Sequence, residues 1–372
     1  MRSSPLPEGP AAAAGRRARL RLDRWRALRM TRPPVALRVD LHALAVGLGI
    51  ALVALAALVL TLGVGEFPIA PHEVALTLVG RGERQHEFVV MDLRLPRALV
   101  ALGVGAALAV AGVIFQGLTR NPLAAPEILG VTAGANVAAV MVIVVLPATP
   151  IVLLGAAAFA GALAATALVY ALAWRGGSSP ARLVLVGIGV TAVGYAIVTA
   201  VIGAVDELVY ASQLVVFTVG SVYGTGWSEL AVLAPALAIL LPLALAGARH
   251  LDALRLGDAL ARGLGARVER QRLLLLLVGT ALAASAVAIA GPVSFVGLMA
   301  PHVARRLVGG SHASLVPVAA AVGGTIVIVA DALARTLFAP IDVPVGVMTA
   351  VVGAPYLIAL LYRTGAAAPG VR

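Results

Sequence analysis

Asp331 and Arg335 stand four residues apart in an otherwise apolar run, "GGTIVIVADALARTLF". On a helix that spacing puts both on one face, with the acid toward the N-terminus as a stabilising pair prefers. Ionisable groups inside a membrane-length run are expensive, so the pair reads either as a structural ion pair or as part of a path for charge. His302, directly after Pro301, is the other titratable candidate, read as a packed helix-start histidine before a ligand or a proton carrier. Catalytic patterns are missing: there is no H-E-x-x-H, no G-x-S-x-G elbow and no Walker A loop. The absence of Cys excludes disulfides, thiolate metal sites and Cys nucleophiles. With six His, and 17 acids of which most lie in loops, neither a metal site nor a carboxylate dyad is expected. Such residues suit transport without an energy source of its own better than catalysis.

The rest of the chain must position these few groups. Of its 372 residues 61% are hydrophobic and 12% charged, with a mean hydropathy of +1.01, against roughly 45–50% and 25% in a soluble domain. The chain is predicted to be an all-α integral membrane protein, because lipid leaves each backbone polar group to be satisfied inside its own segment. A transmembrane barrel would alternate in segments of about ten residues, and that pattern is absent. Apolar stretches between charged or Pro/Gly-rich breaks predict about ten spans at 41–63, 95–117, 128–146, 150–174, 182–205, 229–248, 272–290, 292–308, 315–336 and 345–362. The eighth is short and interrupted by proline. Residues 41–364 then form one transmembrane domain, between a flexible basic tail at 1–40 and a short tail at 365–372.

The net charge of +11 comes from arginine alone, and ten arginines fall in the first 40 residues. Beside an apolar span, such a segment reads as a cytoplasmic tail facing membrane lipid rather than an arm for nucleic acid. An even number of spans puts both termini on that cytoplasmic side. Only Arg81, Arg84, Arg94, Arg97 and Arg335 then face outward, as the positive-inside rule requires.

Four connections stand out. "QGLTRNPLAAPEILG" (116–130) marks a boundary between the second and third spans, where Arg120 stays hydrated and Asn121-Pro122 cap and start a new helical turn. Residues 65–94 are expected to hold a short surface helix, and "LVVFTVG" within 206–228 is too short to cross. The largest inward loop, 249–271, places Ala253, Leu256, Leu260 and Leu264 on one helical face, with Gly257, Gly263 and Gly265 dividing it into short helices. Such a face either packs on its own bundle or seeks a partner groove. Finally, "AVAGVIFQGL" (109–118) echoes "AIAGPVSFVGL" (288–298) in spans of opposite direction, as an inverted repeat would.

"RLPRALVALGVGAALAVAGVIFQGLTRNPLAAPEILGVTAGA" (94–135) closely resembles the FecCD-type permeases of ABC importers for iron–siderophore, haem and cobalamin. The resemblance continues through "LRLGDALARGLG" (254–265), "GPVSFVGLMAPHVARRLVG" (291–309), "ADALARTLF" (330–338) and "VPVGVMTAVVGAPYLIALL" (343–361). It implies a type II importer permease fold in the inner membrane. A second permease copy, identical or paralogous, two ATPase subunits that use ATP and Mg, and a periplasmic substrate-binding protein would complete the assembly.

By the same resemblance, 249–271 is the coupling loop to the ATPase, with Leu256, Gly257, Asp258, Ala261, Leu264 and Gly265 in the family pattern. Arg94, Arg97 and Arg335 match arginines that meet acids of the binding protein. Ser178 and Ser179 lie where relatives place a gate, although Pro180 departs from the small hydroxylic pattern. The "GSVYGTGW" segment (220–227) looks more like ferric siderophore or citrate permeases than cobalamin ones. Ferric siderophore import is thus the expected function, with haem or cobalamin import as the near alternative. A proton-coupled carrier using Asp331, Arg335 and His302 is the distant one.

Overall fold

The computed structural model describes residues 25–31, 34–65, 67–146, 151–205, 214, 217–339 and 341–365. The basic segment before Trp25, the end of the C-terminal tail from 366, and 215–216 of "LVVFTVG" lie outside them. The strands β1 (Trp25–Thr31) and β2 (Pro34–Asp40) pair antiparallel. The expectation of a flexible tail assigned this part of 1–40 no regular structure.

Beyond them the regular elements among the described residues are all helices. Asp40 starts the membrane body by capping α1 (Leu41–Gly63), its Oδ1 accepting from the N–H groups of His42 (3.0 Å) and Ala43 (3.2 Å). The short surface helix expected in 65–94 is α2, Pro71–Leu78. A long helix α3 follows (Arg84–Thr119), π-helical over Phe88–Arg94 and regular from Leu95. Then come α4 (Val131–Val145), α5 (Ile151–Ala173), α6 (Pro180–Gly203) and α7 (Trp227–Ala246). The short helices α8 (Ala248–Arg255) and α9 (Asp258–Gly263) precede α10 (Val268–Ala290), α11 (Val296–Val308), α12 (His312–Leu337) and α13 (Val345–Gly365).

These helices occupy the ten expected stretches. Seven are long and apolar enough to cross a membrane, whereas α4, α11 and the apolar part of α13 are shorter. The shortening has a local cause at each of the first two. Gly130 (φ 81°) precedes α4, and an extended stretch ending at Phe295 (φ 67°) precedes α11. That stretch is covered by protein: residues 291–293 are buried, a Cβ on Gly220 would stand 2.2 Å from Pro292 O, and Ser221 N–H donates to Ala290 O (2.7 Å). Irregular backbone at membrane depth is tolerated where it is shielded in this way.

The connection 120–130 differs from its expected form. Arg120 ends α3 in the left-handed region, Asn121 Oδ1 accepts from Leu123 N–H (2.9 Å), and a 3-10 turn at Pro126–Leu129 follows. Asn121-Pro122 therefore close a turn, and the next α-helix waits until Val131.

The core forms around α3, whose apolar window is 83% buried, against 11–22% for α1, α5, α6 and α7 at the periphery. It packs chiefly on α12 and α10 through small residues. A Cβ on Gly105 would stand 2.2 Å from Gly323 O, and one on Gly112 1.8 Å from Gly297 O. The echo segments 109–118 and 288–298 thus meet at Gly112 and Gly297, and Gln116 Nε2 donates to Leu298 O (3.4 Å). Gly112→Ala is expected to destabilise the bundle by about 1–3 kcal/mol through overpacking. Gly263→Ala, with open space around its Cβ position, is the control. Thermal unfolding in detergent should separate the two, and an unchanged Gly112→Ala midpoint refutes the close contact.

Candidate functional site

Chemistry-bearing residues gather at opposite ends of the bundle. At the Thr119 end of α3 lies the loop after α7. Its first helix, α8, buries Leu251 and Leu254. Asp252 holds this helix to the start of α12, accepting from His312 N–H (3.2 Å) and lying 2.5 Å from His312 Nδ1.

Gly257 then breaks the chain at φ 102° and ψ 153°, a conformation open to glycine and strained for side-chain-bearing residues. The loop is thus divided at Gly257 into two short helices, as the glycines predict. Ala253 is half-buried on α8, and Leu251 and Leu254, which do the packing, fall outside the expected apolar face. Beyond the break Ala261 is fully buried, while Leu256 just before the break and Leu260 and Leu264 after it are 55%, 63% and 71% exposed. Gly265 closes the loop at φ 83°. Three large apolar side chains beside a charged loop form an unpartnered surface, in contrast to a helix packed on its own bundle.

Behind α9 is a charge network centred on Arg272, whose side chain is 1% exposed. Its Nη2 donates to both Asp258 carboxylate oxygens (2.8 and 2.9 Å). Its Nη1 donates to Ser178 O (2.7 Å) and Oγ (2.8 Å) and approaches Glu269 Oε1 at 3.4 Å. Arg120 also pairs with Asp258. Burial alone would raise the Asp258 carboxyl. The hydrogen bonds and charge of Arg272, then the charges of Arg120 and Arg262, outweigh burial and hold it below the usual carboxylate range.

Ser178, one expected gate residue, is buried, and its N–H and Oγ both donate to Glu269 Oε2 (3.2 and 2.5 Å). Ser179 stands at the N-cap of α6 without a side-chain capping bond. The turn before α6 is therefore fastened to α10. In the sequence Arg272 reads only as one more arginine, at the start of the span 272–290. Its i,i+3 spacing from Glu269 was the one available signal, and its partners Ser178 and Asp258 are remote in sequence.

The other end holds Arg94, Arg97 and Arg335 around an open cavity of ≈ 470 Å³ that Tyr223, Ile341 and Asp342 also line. Arg94 departs from expectation: it is 9% exposed, and its guanidinium donates to Leu62 O (2.8 Å) and Phe67 O (2.7 Å). Leu62 lies in the last turn of α1, where unpaired carbonyls attract cations. Arg94 thus braces the end of α1 against the loop that follows it.

The Asp331–Arg335 pair is present at 3.3 Å, yet Asp331 makes its shortest contact with Arg97 at 2.7 Å. Arg97 also reaches Asp342 at 3.1 Å and lies 5.6 Å from the Tyr223 ring centroid. Two helices distant in sequence thus share Asp331. His302 packs edge-on against Tyr356 at 6.0 Å between centroids, and among the described residues no hydrogen bond joins it to Asp331 or Arg335. The described residues hold no group of three or more His, Cys, Asp or Glu able to bind a metal.

Comparison with known proteins bears on the family and the fold. Residues 52–363 match the model of the FecCD transport family. The chain is 45% identical over 316 residues to the "Probable siderophore transport system permease protein YfhA" of Bacillus subtilis, covering 83% of this chain and 92% of that protein. It is 42% identical over 311 residues to the iron(3+)-hydroxamate import system permease protein FhuG of the same organism, covering 82% and 92%. A solved inward-facing conformation of a metal-chelate type ABC transporter superposes with a TM-score of 0.78 at 29% identity, covering 86% of this chain and 99% of that one. A multi-span helical body, small-residue packing about α3 and a family match over nearly all of that body lead to one assignment: the chain belongs to the FecCD transport family.

Proposed function

We propose that this chain is the permease subunit of an ABC importer that carries a ferric siderophore from the periplasm across the inner membrane. The observation that carries the reading is the leucine surface of Leu256, Leu260 and Leu264. It lies at the opposite end of α3 from the arginine-lined cavity. The leucines would seat in a groove of an ATPase subunit on the cytoplasmic side. Two such subunits use ATP and Mg, and this chain uses neither. A second permease copy, identical or paralogous, completes the central path. The names of the two relatives support an iron chelate as substrate.

The outer cavity would receive acidic residues of a periplasmic binding protein, with Arg97 and Arg335 as the available cations. Rim charges of this kind steer and orient docking more than they add affinity. Substrate selectivity would rest with the binding protein. Both termini lie in the cytoplasm on this reading, and the basic residues at 1–40 rest on anionic lipid.

Vesicles containing the permease, its ATPase and its binding protein test the proposal. Uptake of iron chelated by a hydroxamate siderophore is expected to require all three proteins and ATP. Uptake driven by a proton gradient in their absence would overturn it, and uptake of haem or cobalamin in place of the ferric chelate would correct the substrate.

A further inference from the structure

The buried guanidinium of Arg272 touches two pieces of chain that sequence keeps far apart. One is Asp258, the first residue of α9, which carries the exposed Leu260 and lies between Leu256 and Leu264. The other is Ser178, in the turn that leads into α6. A single planar fork grips both: one nitrogen donates to the two Asp258 oxygens at 2.8 and 2.9 Å, the other to the Ser178 carbonyl at 2.7 Å and hydroxyl at 2.8 Å. Glu269, one turn earlier on α10, completes the clasp through the Ser178 N–H and hydroxyl.

This arrangement is stiffer than a surface ion pair. Arg272 is 1% exposed, so water cannot readily replace a lost partner, and removing one side leaves a buried charge. The Asp258 contact is bifurcated from one nitrogen, and the second nitrogen holds Ser178, so the guanidinium plane is fixed from both sides. Arg182 tightens the same turn by donating to Gly177 O (2.8 Å). Within α9 Ala261 is buried and Asp258 is held by Arg272, while Leu260 on the same helix and Leu264 just past its end are exposed. Displacement of α9 therefore reaches Arg272 through the Asp258 contact.

We propose that Arg272 is the positioning residue that makes the 249–271 loop and the 176–182 turn move as one body, so that displacement of the leucine surface is delivered to the start of α6. The inference rests on the proposed docking of an ATPase at that surface. Lysine cannot replace arginine in this role, because an ammonium is a compact point charge and cannot span both partners in a fixed plane.

The test uses the assembled complex of permease, ATPase and binding protein in vesicles. Arg272→Lys and Arg272→Met complexes are expected to assemble and keep basal ATP hydrolysis. Import should fall about tenfold or more, the scale of one charge-assisted hydrogen bond. Parallel loss of hydrolysis and import would mark a structural role and overturn the proposal, as would import at the unsubstituted rate.

A second measurement is independent of whether those variants assemble. The chain has no Cys, so with Cys-free partner subunits and one labelled permease copy, spin labels at Arg175→Cys and Gly263→Cys report on these two sites; the first position is exposed and the second has open space around it. With Arg272 present, their separation should be the same in ATP-bound and ATP-free complexes. A separation that changes with nucleotide refutes the single-body motion. If the Arg272 protein itself imports without needing an ATPase, the proposed function fails instead, so the two failures are distinguishable.

Discussion

Replacing Leu256 and Leu264 with aspartate is expected to release the ATPase subunit from a membrane domain that stays folded. Their exposures of 55% and 71% mean that neither packs in the bundle, and substitutions at such positions commonly change stability by less than about 0.5 kcal/mol. Docking is different. Burying a leucine contributes about 1.5–3 kcal/mol, so losing two weakens association by more than about a hundredfold, before the added penalty of burying carboxylates. Leu254→Asp provides the contrast. That side chain is 2% exposed, on the inward face of α8, and an unpaired carboxylate there should unfold the loop itself. Co-purification with tagged ATPase and the thermal midpoint of the permease read the two effects separately. An ATPase that still co-purifies with the Leu256→Asp, Leu264→Asp permease refutes the coupling assignment.

What was legible in the sequence follows from what lipid enforces locally. A backbone that cannot bond to water must complete its hydrogen bonds within each crossing. The span expected at 41–63 accordingly coincides with Leu41–Gly63, and the one at 150–174 with Ile151–Ala173. The breaks at Gly257 and Gly265 were also readable, because glycine marks where positive φ is needed. Less could be read where distant pieces of chain decide the outcome. The 217–226 segment covers the break before α11 through Ser221 and Gly220, a pairing with no local signature. Arg94 and Arg97 differ by one helical turn and share a residue type, yet one is drawn to the carbonyl end of α1 and the other to Asp331. Periodicity alone could not divide their roles.

The network at Asp331 makes a second large effect expected at the outer end. Arg97→Glu would set a third carboxylate beside Asp331 and Asp342 with Arg335 as the nearest remaining cation. The side chains of Arg97 and Asp331 are 12% and 3% exposed, so the lost attraction is poorly screened, and breaking a buried pair of this kind costs about 3–5 kcal/mol. The substitution should therefore lower the thermal midpoint of the permease as well as weaken binding-protein docking. Salt separates the two consequences. The docking defect should shrink at high ionic strength, because exposed charges more than a Debye length apart are screened, whereas the stability defect should persist. Arg97→Gln with Asp331→Asn removes both charges of the pair and is expected to recover most of the stability without recovering docking. If single and double substitutions destabilise equally, Asp331 is not held chiefly by Arg97. If docking at low salt is unchanged in both, the cavity is not where the binding protein sits. Because the stability readout depends on the pairing of Arg97 with Asp331 and the docking readout on the charge it presents at the cavity, a result on one cannot stand in for the other.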